Sequence, residues 1–128
     1  MHALDQFSGK KYLNLETFRN NKVGVRTPVW FVQDGDKLYV KTFLNSGKVK
    51  RIRNNPQVKF IPSRGDGKPK GRWLSGISSI VLDETLEKRA EQLFRKKYGL
   101  LDKLFFRSGS KKHKDYCVLV LKSIDSEY

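Results

Sequence analysis

Two apolar runs hinged on a turn constrain this chain more than anything else in it. Val23 to Val32, VGVRTPVWFV, is rich in β-branched and aromatic residues; it runs into Gln33-Asp34-Gly35-Asp36 and then into the alternating segment Lys37 to Phe43. The pattern predicts a β-hairpin. In its second strand Leu38, Val40 and Thr42 share one face while Tyr39, Lys41 and Phe43 share the other, so both faces carry large groups that need cover. Pro28 sits inside the first strand and has no N–H for a ladder, so the backbone there is expected at an edge or a bulge.

The remaining elements follow from the same reading. Ser46, in Asn45-Ser46-Gly47-Lys48, is placed to cap a short helix that must end before Pro56 and that buries Val49 and Ile52. Gln57 to Pro62 reads as a third strand, Arg64 to Arg72 as a loop or hairpin tip, and Trp73 to Leu82 as a fourth strand. Asp83-Glu84 opens an amphipathic helix with Leu86, Ala90, Leu93 and Phe94 at helical spacing and Arg95, Lys96 and Lys97 in its last turn before Gly99. Leu100 to Phe106 fits either a short helix or a strand, Ser108 to Lys114 is a basic loop, and Tyr116 to Leu121 reads as a last buried strand. Short antiparallel strands interrupted by two helices predict a mainly β fold with some α. The expected form is one domain over residues 1–128, a closed or half-closed barrel that leaves few sheet edges exposed.

Charge narrows the partners. Lys and Arg number 27 against 13 Asp and Glu, a formal +14, which favours anions: nucleic acid, anionic lipid or a phosphorylated cofactor. Cys117 is the single cysteine, so neither an intramolecular disulfide nor the usual four-ligand zinc site can form, and a reducing, cytoplasmic setting is expected. No stretch approaches the ~20 apolar residues that span a bilayer, so no membrane association is expected.

Ser46-Gly47-Lys48 combines a capping hydroxyl, a residue without a side chain and a cation at the positive end of a helix, where unpaired N–H groups point outward. That combination suits a phosphate, although a plain capped surface helix gives the same three residues. Arg26 precedes the hairpin turn and Thr42 ends the strand after it, so adjacent strands bring both toward the helix start unless Arg26 snorkels to solvent. Trp30 reads as core, whereas Trp73 follows a polar loop and is the better ligand wall. The only histidines, His2 and His113, lie in segments expected to be loose, so no nucleophile, base and orienter set is visible, and any chemistry would be a cofactor's own.

The run from Tyr12 to Pro62, carrying KYLNLETFRNN, VRTPVWFV, LYVKTF and NSGKVKRIRNNP in that order, resembles the pyridoxamine 5'-phosphate oxidase-like FMN-binding split β-barrels. Among them it is most similar to the small group that uses FMN or the deazaflavin coenzyme F-420. The resemblance implies a homodimer with the cofactor between its subunits and a hydride passed to or from a small-molecule substrate. It implies that Arg26, Thr27, Pro28, Val29, Trp30 and Phe31 line the cofactor, with Arg26 toward the phosphate. It also implies that Thr42, Ser46, Gly47 and an exposed Lys48 hold that phosphate, with the Trp73 strand or the basic loop around His113 contributed by the second chain. Gly47 stands where vitamin-pathway oxidases tend to have Arg, which argues against pyridoxamine phosphate oxidation itself. Lys50, Arg51 and Arg53 would suit the acidic tail of the deazaflavin. Two other readings stay open: a non-enzymatic nucleic-acid-binding module using Lys48 to Arg53, Lys68 to Arg72 and Lys111 to Lys114, and a haem-binding or cofactor-free relative with His113 as iron ligand.

Overall fold

The computed structural model describes residues 3–99 and 116–124. A 3-10 helix, Ala3–Phe7, leads into six strands: β1 (Tyr12–Phe18), β2 (Gly24–Asp34), β3 (Lys37–Phe43), β4 (Gln57–Ser63), β5 (Leu74–Ile80) and β6 (Tyr116–Ser123). Helix α1 (Gly47–Asn54) lies between β3 and β4, and α2 (Glu84–Tyr98) between β5 and β6. The strands close into an antiparallel barrel in the order β1-β2-β3-β6-β5-β4. The expected hairpin is β2 and β3, turning at Gly35, whose φ of 66° suits a residue without a Cβ.

Strand β1 was not foreseen as a strand, yet it is where the barrel closes. It pairs with β2 from Tyr12↔Trp30 to Phe18↔Gly24 and with β4 from Tyr12↔Ser63 to Glu16↔Lys59. Leu13, Leu15 and Thr17 alternate into the barrel and are fully buried, while Asn14 and Glu16 face outward.

Phe31, Leu38, Val40, Phe60, Leu74, Leu119 and Leu121 fill the interior with Leu13 and Leu15. Both ends are plugged by the chain itself. Leu4 and Phe7 enter at the end where β1 begins, Phe7 lying edge-on to Phe31 at 5.6 Å and tilted against Phe60 at 5.7 Å. Val49 and Ile52 of α1 enter from the other end, as their spacing predicted. Helix α2 covers the outer face of β2, β3 and β6, packing Ala90, Phe94 and Tyr98 on Val32, Tyr39 and Val118. Both faces of β3 are thus covered as far as Thr42, and Phe43 at its end stays half exposed. The buried stripe of α2 nevertheless sits further along than its sequence suggests: Leu86 is 37% exposed and Tyr98 only 8%, because the helix start overhangs the sheet.

Tyr98 has a second duty. Its hydroxyl accepts from the Phe31 N–H at 3.1 Å and lies 2.7 Å from the Lys11 carbonyl and 2.8 Å from the Phe31 carbonyl, so it bridges β2 to the residue before β1, where their ladder has ended. The Lys97 ammonium donates to the same Phe31 carbonyl at 2.8 Å and lies 3.8 Å from the Phe31 ring centre. Burial of that ammonium pushes its pKa down to about 8 from an ordinary 10.5. The unfolded chain therefore holds a proton that the folded chain has released between these values, and folding stability should rise with pH across that window. Urea midpoints at about pH 7.5 and about pH 10 should show a smaller rise in Lys97→Met than in the parent. Equal rises would sink this assignment.

Candidate functional site

The hairpin opens before it ends. The β2–β3 ladder runs only from Phe31↔Val40 to Asp34↔Lys37, so Gly24 to Val29 pair with β1 on one side and with no strand among the described residues on the other. Pro28 lies in this half, opposite Asn14 and exposed, where its missing N–H breaks no ladder bond. Thr27, opposite the inward-facing Leu15, points the same way; its hydroxyl is buried without a hydrogen-bond partner, and Val29 packs on the core. A buried hydroxyl left unpaired costs about 1–3 kcal/mol, which makes it a place where a bound group would add stability.

The start of α1 gathers a second set. Ser46 is its N-cap, its Oγ accepting from the Val49 N–H at 3.4 Å, and the Thr42 hydroxyl lies 3.5 Å from it. Gly47 lies close to Arg51: a Cβ there would lie 2.7 Å from Nη1 at the far end of that side chain, whose Nε donates to the buried Thr17 hydroxyl at 2.6 Å. Lys48 is half-buried rather than exposed, a correction to the sequence reading, because the helix sits in the barrel mouth instead of lying on the surface. Its burial, and next the Arg51 charge, lower the pKa of its ammonium; burial, and next Arg19, lower that of Arg51. No carboxylate among the described residues forms an ion pair with Lys48, Arg51 or Arg19. The turn therefore brings hydroxyls, helix N–H groups and the unpaired Lys48 ammonium to one place, with Arg51 at its edge beside Gly47.

Arg26 and Trp73 form a separate group on the outer face. The Arg26 guanidinium donates to Glu16 Oε2 at 3.1 Å and lies 4.7 Å over the Trp73 ring. Trp30 stacks on Tyr98, ring centres 4.4 Å apart and 7° from parallel, and is partly buried in the cluster under α2. Sequence reasoning missed Thr17, Arg19 and Glu16 as neighbours of these groups. Only the register of β1 supplies them, and the alternation in YLNLETF was the available signal.

The Leu100 to Phe106 segment, the basic loop Ser108 to Lys114, and both histidines, His2 and His113, lie outside the described residues. Among the described residues no group of three or more His, Cys, Asp or Glu is placed to hold a metal, and no helix is long and apolar enough to cross a membrane. Cys117 is buried, and burial raises its thiol pKa.

No family profile matches the chain, and no curated protein matches it in sequence. Solved structures do match its fold. HutZ, the haem storage protein of Vibrio cholerae, superposes with a TM-score of 0.73 at 16% identity, over 94% of this chain and 86% of HutZ. A Listeria innocua protein provisionally named a pyridoxamine 5'-phosphate oxidase gives 0.70 at 18% identity, over 95% and 90% of the two chains. An F-420 reductase gives 0.60 at 20% identity, over 95% and 93%. Likeness at this identity shows the fold alone, a split β-barrel that these structures share.

Proposed function

We propose that this chain is a homodimeric oxidoreductase that binds FMN or the deazaflavin F-420 and acts on a small-molecule substrate. The observation that carries the reading is the turn at the start of α1, where the Ser46 and Thr42 hydroxyls meet a half-buried Lys48 that no described carboxylate neutralises. The donor set fits a phosphate: two hydroxyls, the first N–H groups of a helix and a cation already partly removed from water. The unladdered edge of β2 and the unpartnered Thr27 hydroxyl fit the polar rim of a flat ring system, with Pro28, Val29 and Trp73 as its apolar neighbours. Arg26 would reach such a cofactor only from its place between Glu16 and Trp73.

When bound, a cofactor of this kind supplies hydride transfer, and the protein's part is to hold and shield it. Phe43 and Leu44, 50% and 37% exposed beside the Ser46 turn, are apolar surface that a second subunit would cover, which supports a site shared between two copies. The fold likeness to an F-420 reductase supports the flavin class over a nucleic-acid module, and so does the division of basic residues between separate faces.

The test is a titration of the purified protein with FMN and, separately, with the deazaflavin, followed by fluorescence quenching with a short DNA oligomer as competitor. Micromolar or tighter binding of one cofactor, undisturbed by the oligomer, is the expected result. Binding of the oligomer alone, collapsing as salt rises, would replace this reading with a basic nucleic-acid module.

A further inference from the structure

A second cationic feature lies on the flank of α1 that faces the end of β1. It is a cleft of about 310 Å³ lined by Phe18, Arg19, Asn20, Lys50, Arg51 and Asn54. We propose that this cleft binds a compact polyanion, a small molecule with two or more carboxylate or phosphate groups, at a site separate from the Ser46 turn.

Three cations converge on it and no described carboxylate pairs with any of them; the nearest acid along β1, Glu16, is taken by Arg26. Left alone, such a group is self-repelling, and the lowered pKa of Arg51, due to burial and then to Arg19, is one sign of that. An oxyanion relieves the repulsion, and the two guanidinium groups are suited to bidentate pairing with carboxylate or phosphate.

The cleft is also held in shape. Arg51 is pinned by its Nε bond to the buried Thr17 hydroxyl at 2.6 Å, so its entropy is already reduced before any ligand arrives. Arg19 and Asn20 belong to the tight β1–β2 turn. There the Arg19 N–H donates to the Val23 carbonyl at 2.9 Å, the Lys22 N–H to the Arg19 carbonyl at 2.7 Å, and the Asn21 side chain accepts from the Val23 N–H at 3.1 Å. Lys22 takes a left-handed φ of 70° to close that turn. Asn20 and Asn54 add neutral donors, and Phe18 supplies one apolar wall. The volume is at the lower end of small-molecule sites, which suits a ligand of citrate or triphosphate size.

Calorimetric titration of the full chain with citrate, and separately with inorganic triphosphate, tests this and distinguishes a carboxylate from a phosphate ligand. At least one should bind with saturation, and Arg19→Gln and Lys50→Gln, both at exposed positions where folding is not at stake, should each weaken it about tenfold. FMN titrated against the same two variants should bind as to the parent. Three results would each overturn the proposal: no saturable binding of either anion, equal binding by parent and variants, or a parallel loss of FMN affinity, which would make the cleft part of the cofactor site. Binding of a single-stranded oligonucleotide in place of both small anions would do the same, since the groove would then be a stretch of polyanion track.

Discussion

Lys48→Glu should weaken FMN or deazaflavin binding by about a hundredfold or more while the barrel stays folded. The substitution removes a charge-assisted hydrogen bond worth about 1.5–3 kcal/mol and sets a carboxylate against the phosphate in a site partly removed from water. Folding should survive: partial burial, the main cause of the lowered Lys48 pKa, opposes a carboxylate as well, but the new group lies next to the Arg51 charge, which favours it. Lys48→Gln, which deletes the charge without reversing it, should lose about tenfold. Quenching titrations of the three proteins, with a thermal melt of each as control, give the comparison. If Lys48→Glu keeps the parent affinity, the phosphate is not held at the start of α1, and the reading of the Ser46 turn as the phosphate site falls.

The largest effect on stability is expected at Gly76. It sits inward in β5 between Val58 of β4 and Ser123 of β6, and a Cβ there would meet the Lys122 carbonyl and lie 2.7 Å from the Phe60 ring. Neither neighbour can give way cheaply: the carbonyl belongs to the adjoining strand, and the Phe60 ring is held against Phe7 inside the barrel. Gly76→Ala should cost about 3 kcal/mol, enough to lower the melting temperature by roughly 10 °C. Gly35→Ala is the control. Position 35 has open space around it and a φ of 66°, so alanine there should cost only about 1 kcal/mol, the price of the left-handed backbone. Equal melting shifts in the two variants would mean that Phe60 can swing aside and that the barrel interior is softer than its packing suggests.

The hairpin, the Ser46 cap, α2 and the last strand were legible in the sequence because each is signalled locally, by alternation, by a capping residue or by helical spacing. Strand β1 was not. Its alternation of Leu13, Leu15 and Thr17 with Asn14 and Glu16 is regular, but two polar residues on the outer face look like solvent exposure, whereas the structure buries both. The Asn14 amide donates to the Gly67 carbonyl and Glu16 takes Arg26, contacts to residues 53 and 10 positions away that no local pattern announces. The 3-10 helix was missed for a like reason: Phe7 is isolated in its neighbourhood and acquires meaning only beside Phe31 and Phe60. In the site, the Ser46 turn was readable from three consecutive residues. The Arg51–Thr17 bond, which joins residues 34 positions apart, and the close approach of Arg51 to Gly47 were not.

The filled interior of this barrel bears on how such a protein can change over evolutionary time. With Phe7 closing one mouth and Val49 and Ile52 the other, any ligand would have to be held by side chains on the rim and flank, whose replacement leaves the aromatic centre intact. Mutational drift in ligand preference and drift in foldability thus draw on different residues. A lineage can change what its rim binds through a few substitutions without passing through an unfolded ancestor, and the same fold is found in a haem storage protein and an F-420 reductase.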